Sequence, residues 1–110
     1  MAYELIVSDP ANRELDNAIG YIAVTLAAPG AATSLLEEYE SALRLVADNP
    51  LLFGVDLYVS EAIGRQVRRC PVKRYGMYFT VDEDAGKIYI VAFTHSLRDT
   101  PRILSERLPE

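Results

Sequence analysis

Hydrophobic positions recur with two different periods in two halves of the chain. Tyr3 to Val7 is an apolar run long enough for one strand and too short for a helix. Beyond it, Leu15, Ile19, Ile22 and Leu26 recur at spacings of four, three and four, the stripe of an amphipathic helix, while Arg13, Glu14, Asp16 and Asn17 lie mostly off it. Ser8 or Asp9 can accept hydrogen bonds from the free amides of the first turn, and Pro10 lacks the amide that such a turn leaves unpaired. Ala28, Pro29 and Gly30 break the pattern. It resumes at Leu36, Tyr39, Leu43 and Val46 until Asn49 and Pro50 stop it, so the two stripes predict a helical hairpin.

From residue 66 the period changes to two. Gln66 to Val72 reads as a strand whose Pro71, unable to donate to a ladder, requires an edge position or a bulge. Tyr75, Met77, Phe79 and Val81 alternate with Arg74, Gly76, Tyr78 and Thr80, and Ile88 to His95 alternates in the same way. Asp82 to Gly86 between them has the chemistry of a hairpin loop. Pairing Val81 with Ile88 sets Phe79 against Ile90, Met77 against Ala92, Gly76 against Phe93 and Arg74 against His95. One face is then apolar, and the other carries Tyr78, Tyr89, Val91 and Phe93 with Arg74 and His95 at its end. Leu51 to Glu61 is apolar without a period and reads as a connection that packs Leu52, Phe53 and Leu57 on the core. Pro101 to Leu108 spaces Ile103, Leu104 and Leu108 for a short helix or an extended tail.

These elements predict an α+β domain: an N-terminal strand, a helical hairpin, then a three-stranded antiparallel meander, forming one sheet with helices packed on one face. The 110 residues, half of them apolar, suit a single domain (1–110) with one core. The face bearing Tyr78, Tyr89 and His95 is left open or covered by something else, and is where function is expected.

Charge sharpens this picture. Residues 1–61 hold ten Asp and Glu against two Arg, a balance of −8, whereas residues 62–110 hold nine Lys and Arg against six acids, a balance of +3. Arg65, Arg68, Arg69, Lys73 and Arg74 fall in ten residues without an acid between them, a local field that favours an anion or a solvated edge strand. One cysteine, Cys70, excludes an internal disulfide, and with one histidine it cannot supply a typical zinc site. The expectation is a reduced, cytoplasmic, metal-free protein with no cofactor, no membrane segment and no export signal.

Few residues carry distinctive chemistry. His95 has a reference pKa near neutrality and can serve as general acid or base, or can simply close the strand by bonding the Arg98 to Asp99 loop. Tyr78 and Tyr89 can stack on bases or on a partner, or half-bury their rings. Asp99 can cap a helix near Pro101 or pair with Arg98, and Cys70 reads as packing.

The words VRRCPV (67–72), YGMYFTVD (75–82) and IYIVAFTHSLRD (88–99), with SDPANRELDNAIGYIA near the start, resemble the RelE/ParE family of bacterial toxins, the plasmid stabilisation family, over nearly the whole chain. The resemblance implies the toxin of a type II toxin–antitoxin pair, neutralised by a cognate antitoxin. It reaches two branches on one fold: ParE-type members poison DNA gyrase, and RelE-type members are metal-independent nucleases that cut mRNA on the ribosome. If RelE-like, the catalytic residues expected are Arg68, Arg74 and His95. Target-binding residues implied on the basic, aromatic surface are Arg65, Arg69, Lys73, Tyr78, Tyr89 and Arg98. Gly76 stands where RelE-type nucleases carry an arginine that contacts the phosphate at the cleavage point, and Leu97 replaces another basic position. Those departures and the acidic whole favour gyrase or another protein target over mRNA. A protein-binding module without poison activity, including a decayed toxin, is the rival from another class, and a homodimer or a toxin–antitoxin hetero-oligomer is the expected assembly.

Overall fold

A computed structural model describes residues 3–96 and 98–107. Strand β1 (Glu4–Val7) leads to helix α1 (Asp9–Gly20), whose amide at Ala11 donates to the Ser8 hydroxyl at 3.2 Å, the cap expected from sequence. A π-helical turn over Tyr21–Thr25 extends α1, with the Leu26 amide donating to the Tyr21 carbonyl. Helix α2 (Pro29–Asp48) returns, and Pro50–Leu52 forms one 3-10 turn. The π turn holds one more residue than an α turn, so the expected stripe runs off the core at its end and Leu26 is exposed. On α2 the buried stripe is Ala32, Leu35, Tyr39, Ala42 and Val46, which turns Leu36 outward and leaves Leu43 at the margin. Alanine lets a helix sit close to its neighbour, so the packed face passes through residues that hydrophobic bulk does not single out.

Residues 51–61 differ from the connection expected. Helix α3 (Leu57–Ile63) lies there, capped by the Asp56 carboxylate accepting from the Val59 amide at 3.0 Å and closed by Gly64 at φ +71°. Of the three residues expected to pack, only Phe53 does, edge-on to Phe79. Leu52 and Leu57 are 78% and 76% exposed, because α3 turns Val59 inward instead.

The sheet adds β2 (Arg68–Val72), β3 (Tyr75–Asp82) and β4 (Lys87–His95) in the order β1-β4-β3-β2, with β1 parallel to β4 and the rest antiparallel. This is the α+β architecture the sequence implies. Pro71 lies on the edge strand, and residues 54–56 run along the near half of that edge: Arg69 donates its amide to the Gly54 carbonyl, and Asp56 donates to Val67. The expected register holds from Val81–Ile88 to Phe79–Ile90 and then breaks. A bulge leaves Val91 without a partner, so that Tyr78 faces Ala92, Met77 faces Phe93, Gly76 faces Thr94 and Tyr75 faces His95. Simple alternation therefore fails at Val91, and Phe93 changes sides.

Two cores result. On one face α1 and α2 pack Leu15, Leu35, Tyr39 and Val46 against Met77, Phe79, Ile88, Ile90 and Phe93. On the other, Tyr78, Val91 and Ala92 meet Val59 of α3 and Leu104 of α4 (Thr100–Arg107). The face left open or covered from sequence is thus covered around Tyr78, which is 6% exposed. Asp99 caps α4 by accepting from the Arg102 amide, and the Thr94 and Thr100 hydroxyls bond at 2.8 Å. Leu108, expected to continue this helix, falls outside the described residues.

Phe79 is fully buried under the hairpin, so Phe79→Ala is expected to cost about 3–5 kcal/mol in chemical denaturation. Tyr39 behaves oppositely at its tip: its ring packs edge-on to Phe93 while its buried hydroxyl has no hydrogen-bond partner. Tyr39→Phe removes only that desolvated group and is expected to leave stability unchanged or raise it by ~1 kcal/mol in the same measurement.

Candidate functional site: an apolar cleft with a basic rim

The last residues of β4 and the β2–β3 turn meet the connecting end of the helical hairpin. Between them lies a cleft of about 640 Å³, walled by Tyr21 and Ile22 of the π turn, by Leu26 just after it, and by Ala31, Ser34 and Leu35 of α2. Lys73, Arg74, Tyr75 and His95 line its other side. A smaller recess of about 200 Å³, shared at Tyr21, Tyr75 and His95, continues toward Glu14, Asn17 and Arg98. Among the described residues lining the larger cleft there are three basic types and no carboxylate.

Local backbone constraints produce this rim. Only Lys73 and Arg74 separate β2 from β3, and Lys73 adopts φ +54°, a conformation uncommon for a residue with a side chain. The tight turn presents both basic side chains at the cleft. Beneath them an aromatic ladder runs inward: His95 stands edge-on to Tyr75 at 5.3 Å, Tyr75 stacks on Phe93 at 4.9 Å and 6°, and Phe93 meets Tyr39 edge-on at 5.3 Å. Burial, with the nearby Tyr21 hydroxyl, raises the pKa of Tyr75, which stays a neutral donor and acceptor at physiological pH.

The structure gathers Arg74, His95 and Lys73 at this cleft and puts Arg98 at the adjoining recess. Arg68 lies elsewhere: it pairs opposite Phe79 while His95 pairs opposite Tyr75, about 13 Å apart along the strand. Its guanidinium donates to the Phe53 carbonyl at 2.6 Å and holds the 51–56 segment. Arg69 points to the opposite face and covers the Tyr78 ring, 5.8 Å from its centroid, with Nε 3.3 Å from the hydroxyl. Tyr89 lies on that second face opposite Thr80, and Arg65 is exposed after α3. Leu97 falls outside the described residues.

Gly76 has a steric reason. A Cβ built there would come 2.6 Å from Arg69 Nε and 2.8 Å from the Tyr78 ring, so these two side chains occupy the room that a larger residue would take. Gly76 faces Thr94 and not Phe93, the partner expected from the simple register, because the bulge carries Phe93 to the other face.

Two further groups at the site carry no distinctive sequence signal. Ile22 and Leu26 read as the continuation of a core stripe and Tyr21 carries no sequence signal of its own; the wall shows only in the exposure, 53% at Tyr21. Glu14 read as an off-stripe polar residue. It is clamped by Arg107 through two contacts of 2.9 Å and also accepts from the Phe93 amide at 3.0 Å.

Cys70 takes no part in site chemistry. Burial raises its thiol pKa, partly offset by Arg69, so the nucleophilic thiolate is disfavoured. A folded-state pKa above the unfolded one means that its stabilising contribution is complete below the unfolded value and declines as pH rises past it. Native protein at pH 8 is expected to react with an aromatic disulfide probe at least ~10-fold more slowly than denatured protein. Its unfolding free energy should fall above pH 9, less steeply in Cys70→Ala.

A family model described as the ParE toxin of the type II toxin–antitoxin system, parDE, matches residues 5–100. No curated protein matches the chain. Among the described residues no helix is long and apolar enough to cross a membrane, and no group of three or more His, Cys, Asp and Glu is placed to hold a metal.

Proposed function

The chain belongs to the ParE toxin family of type II toxin–antitoxin systems, and from that premise we propose that it acts on a protein target, DNA gyrase, instead of cutting ribosome-bound mRNA. Membership implies a cognate antitoxin. In this reading the apolar cleft takes an antitoxin segment that carries apolar side chains beside acidic ones, in a toxin–antitoxin hetero-oligomer in the cytoplasm.

The observation that carries the choice of target is the occupied space over Gly76. Phosphoryl transfer needs positive charge held where the transition state develops negative charge, usually the largest catalytic term. At the position where RelE-type nucleases use an arginine, this chain has a glycine overlain by Tyr78 and Arg69. Arg68 is engaged with the Phe53 carbonyl, which leaves Arg74 and His95 without it. A polyanionic substrate is also favoured by many Lys and Arg contacts, whereas this chain carries a net charge of −5. The antitoxin assignment is supported by charge and shape: Lys73, Arg74 and His95 rim an apolar wall, and complementary potentials steer an acidic segment to it.

Purified protein incubated with gyrase and supercoiled DNA is expected to block supercoiling or trap cleaved DNA, and to leave mRNA on translating ribosomes intact. Site-specific mRNA cuts that vanish in Arg68→Ala or His95→Ala would overturn this choice. Arg74→Ala is expected to weaken antitoxin binding about tenfold and to reduce the salt dependence of that binding.

A further inference from the structure

Past Ile90, backbone groups of β4 on the side away from β3 need other partners, because β1 ends opposite Ile90 and among the described residues no strand continues on that side beside Val91 to Phe93. Two side chains from distant parts of the chain take over. The Phe93 amide donates to Glu14 Oε1 at 3.0 Å, and Arg107 Nη1 donates to the Val91 carbonyl at 3.1 Å. Arg107 also grips both Glu14 oxygens at 2.9 Å, so the guanidinium and carboxylate form one unit against the strand edge.

That unit lies one side chain away from the cleft. Phe93, whose amide Glu14 holds, stacks flat on Tyr75, and Tyr75 and His95 form the side shared by the cleft and its recess. Glu14 itself lines the recess. Arg107 belongs to α4, beyond the span 5–100 that the family model matches, so this clamp joins the matched body to a segment outside it.

We propose that Glu14 is a positioning residue for the cleft: gripped by Arg107, it sets Phe93 at the bulge and through it the Tyr75–His95 side, so that seating of α4 and partner affinity at the cleft are coupled. The affinity half of this inference rests on the cleft being the antitoxin surface. A partner that orders the Tyr75–His95 side favours a docked α4, and by reciprocity a docked α4 strengthens that partner.

His95 is the only histidine, so its two ring carbon protons are resolved reporters whose shifts depend on the edge-on Tyr75 ring. Arg107→Ala removes the grip and keeps Glu14. Glu14→Gln keeps an acceptor for the Phe93 amide and loses the charge. Asp82→Ala removes the hairpin-loop bond from the Ala85 amide, at the far end of β3 from the cleft, and controls for general destabilisation. Each full-length variant is compared with wild type by nuclear magnetic resonance at a temperature where circular dichroism shows it folded, and by titration with the antitoxin encoded beside it. Arg107→Ala and Glu14→Gln are expected to move the His95 resonances and weaken antitoxin binding about tenfold, while Asp82→Ala leaves both unchanged. His95 resonances identical to wild type in both clamp variants would overturn the positioning role, whatever the binding result. Moved resonances with unchanged antitoxin affinity would overturn the coupling to the partner. If, in addition, Arg74→Ala binds antitoxin like wild type, it is the reading of the cleft that fails, and the His95 shifts still decide whether Glu14 positions this side. If Glu14→Gln does not fold, Arg107→Lys decides alone: it keeps one cation and loses the fork, and resonances unmoved in it count against the clamp.

Discussion

Strand β4 has to serve two cores, and the bulge at Val91 is what allows it. Up to Ile90 its inward residues face the helical hairpin. The unpaired residue changes the phase, so that Val91 and Ala92 both join the core under α3 and α4 and Phe93 returns to the hairpin side. The cost of a bulge is broken ladder pairing. Here Glu14 and Arg107 supply the missing partners to the Phe93 amide and the Val91 carbonyl. The two side chains are 16% and 23% exposed, between the surface regime where an ion pair contributes ~0–1 kcal/mol and the buried regime where breaking one costs ~3–5 kcal/mol. Their hydrogen bonds to backbone add to the pairing itself, which places the unit among the stronger polar contacts of a small domain.

From that point the site follows by geometry. Phe93 on the hairpin side gives Tyr75 a ring to stack on, and the stack sets His95 at the end of β4 beside Lys73 and Arg74. The π turn opposite keeps Tyr21 and Leu26 out of the core and available as a wall. A basic rim over apolar surface therefore arises in a chain that is acidic overall, because its cations are concentrated in residues 62–110. Tyr78 and Arg69 face the other way. Packed on each other over Gly76, they put Arg69 on the face opposite the cleft and so divide charges that look contiguous in sequence.

What could be read in advance was what depends on neighbours in sequence. The Ser8 cap, the Asn49–Pro50 stop, the Asp82–Gly86 loop and the edge position of Pro71 are local requirements, and each is found. The bulge was not legible, since Ile88 to Thr94 is apolar on both sides and either phase buries similar groups. Helix α3 was hidden because its bulky residues Leu57 and Tyr58 point outward and its buried Val59 is small. Arg68 and Arg74 looked like members of one patch on a linear count, but strand length keeps them apart. Glu14 could not have been singled out, because its partner Arg107 lies at the other end of the chain. The family motifs, by contrast, are legible because they combine these local requirements in a fixed order.

The Phe93 amide is the point at which the clamp meets the strand. It belongs to a strand stretch with no neighbouring strand on that side among the described residues, and its acceptor is the Glu14 carboxylate at 3.0 Å. Native-state hydrogen exchange followed residue by residue measures this directly. The account predicts that the Phe93 amide exchanges only through global unfolding, as slowly as those of the paired core residues Met77 and Phe79, and that it becomes fast in Glu14→Ala while theirs keep pace with overall stability. A Phe93 amide that exchanges by local fluctuation in the wild-type protein, or that stays equally protected without the carboxylate, would contradict it.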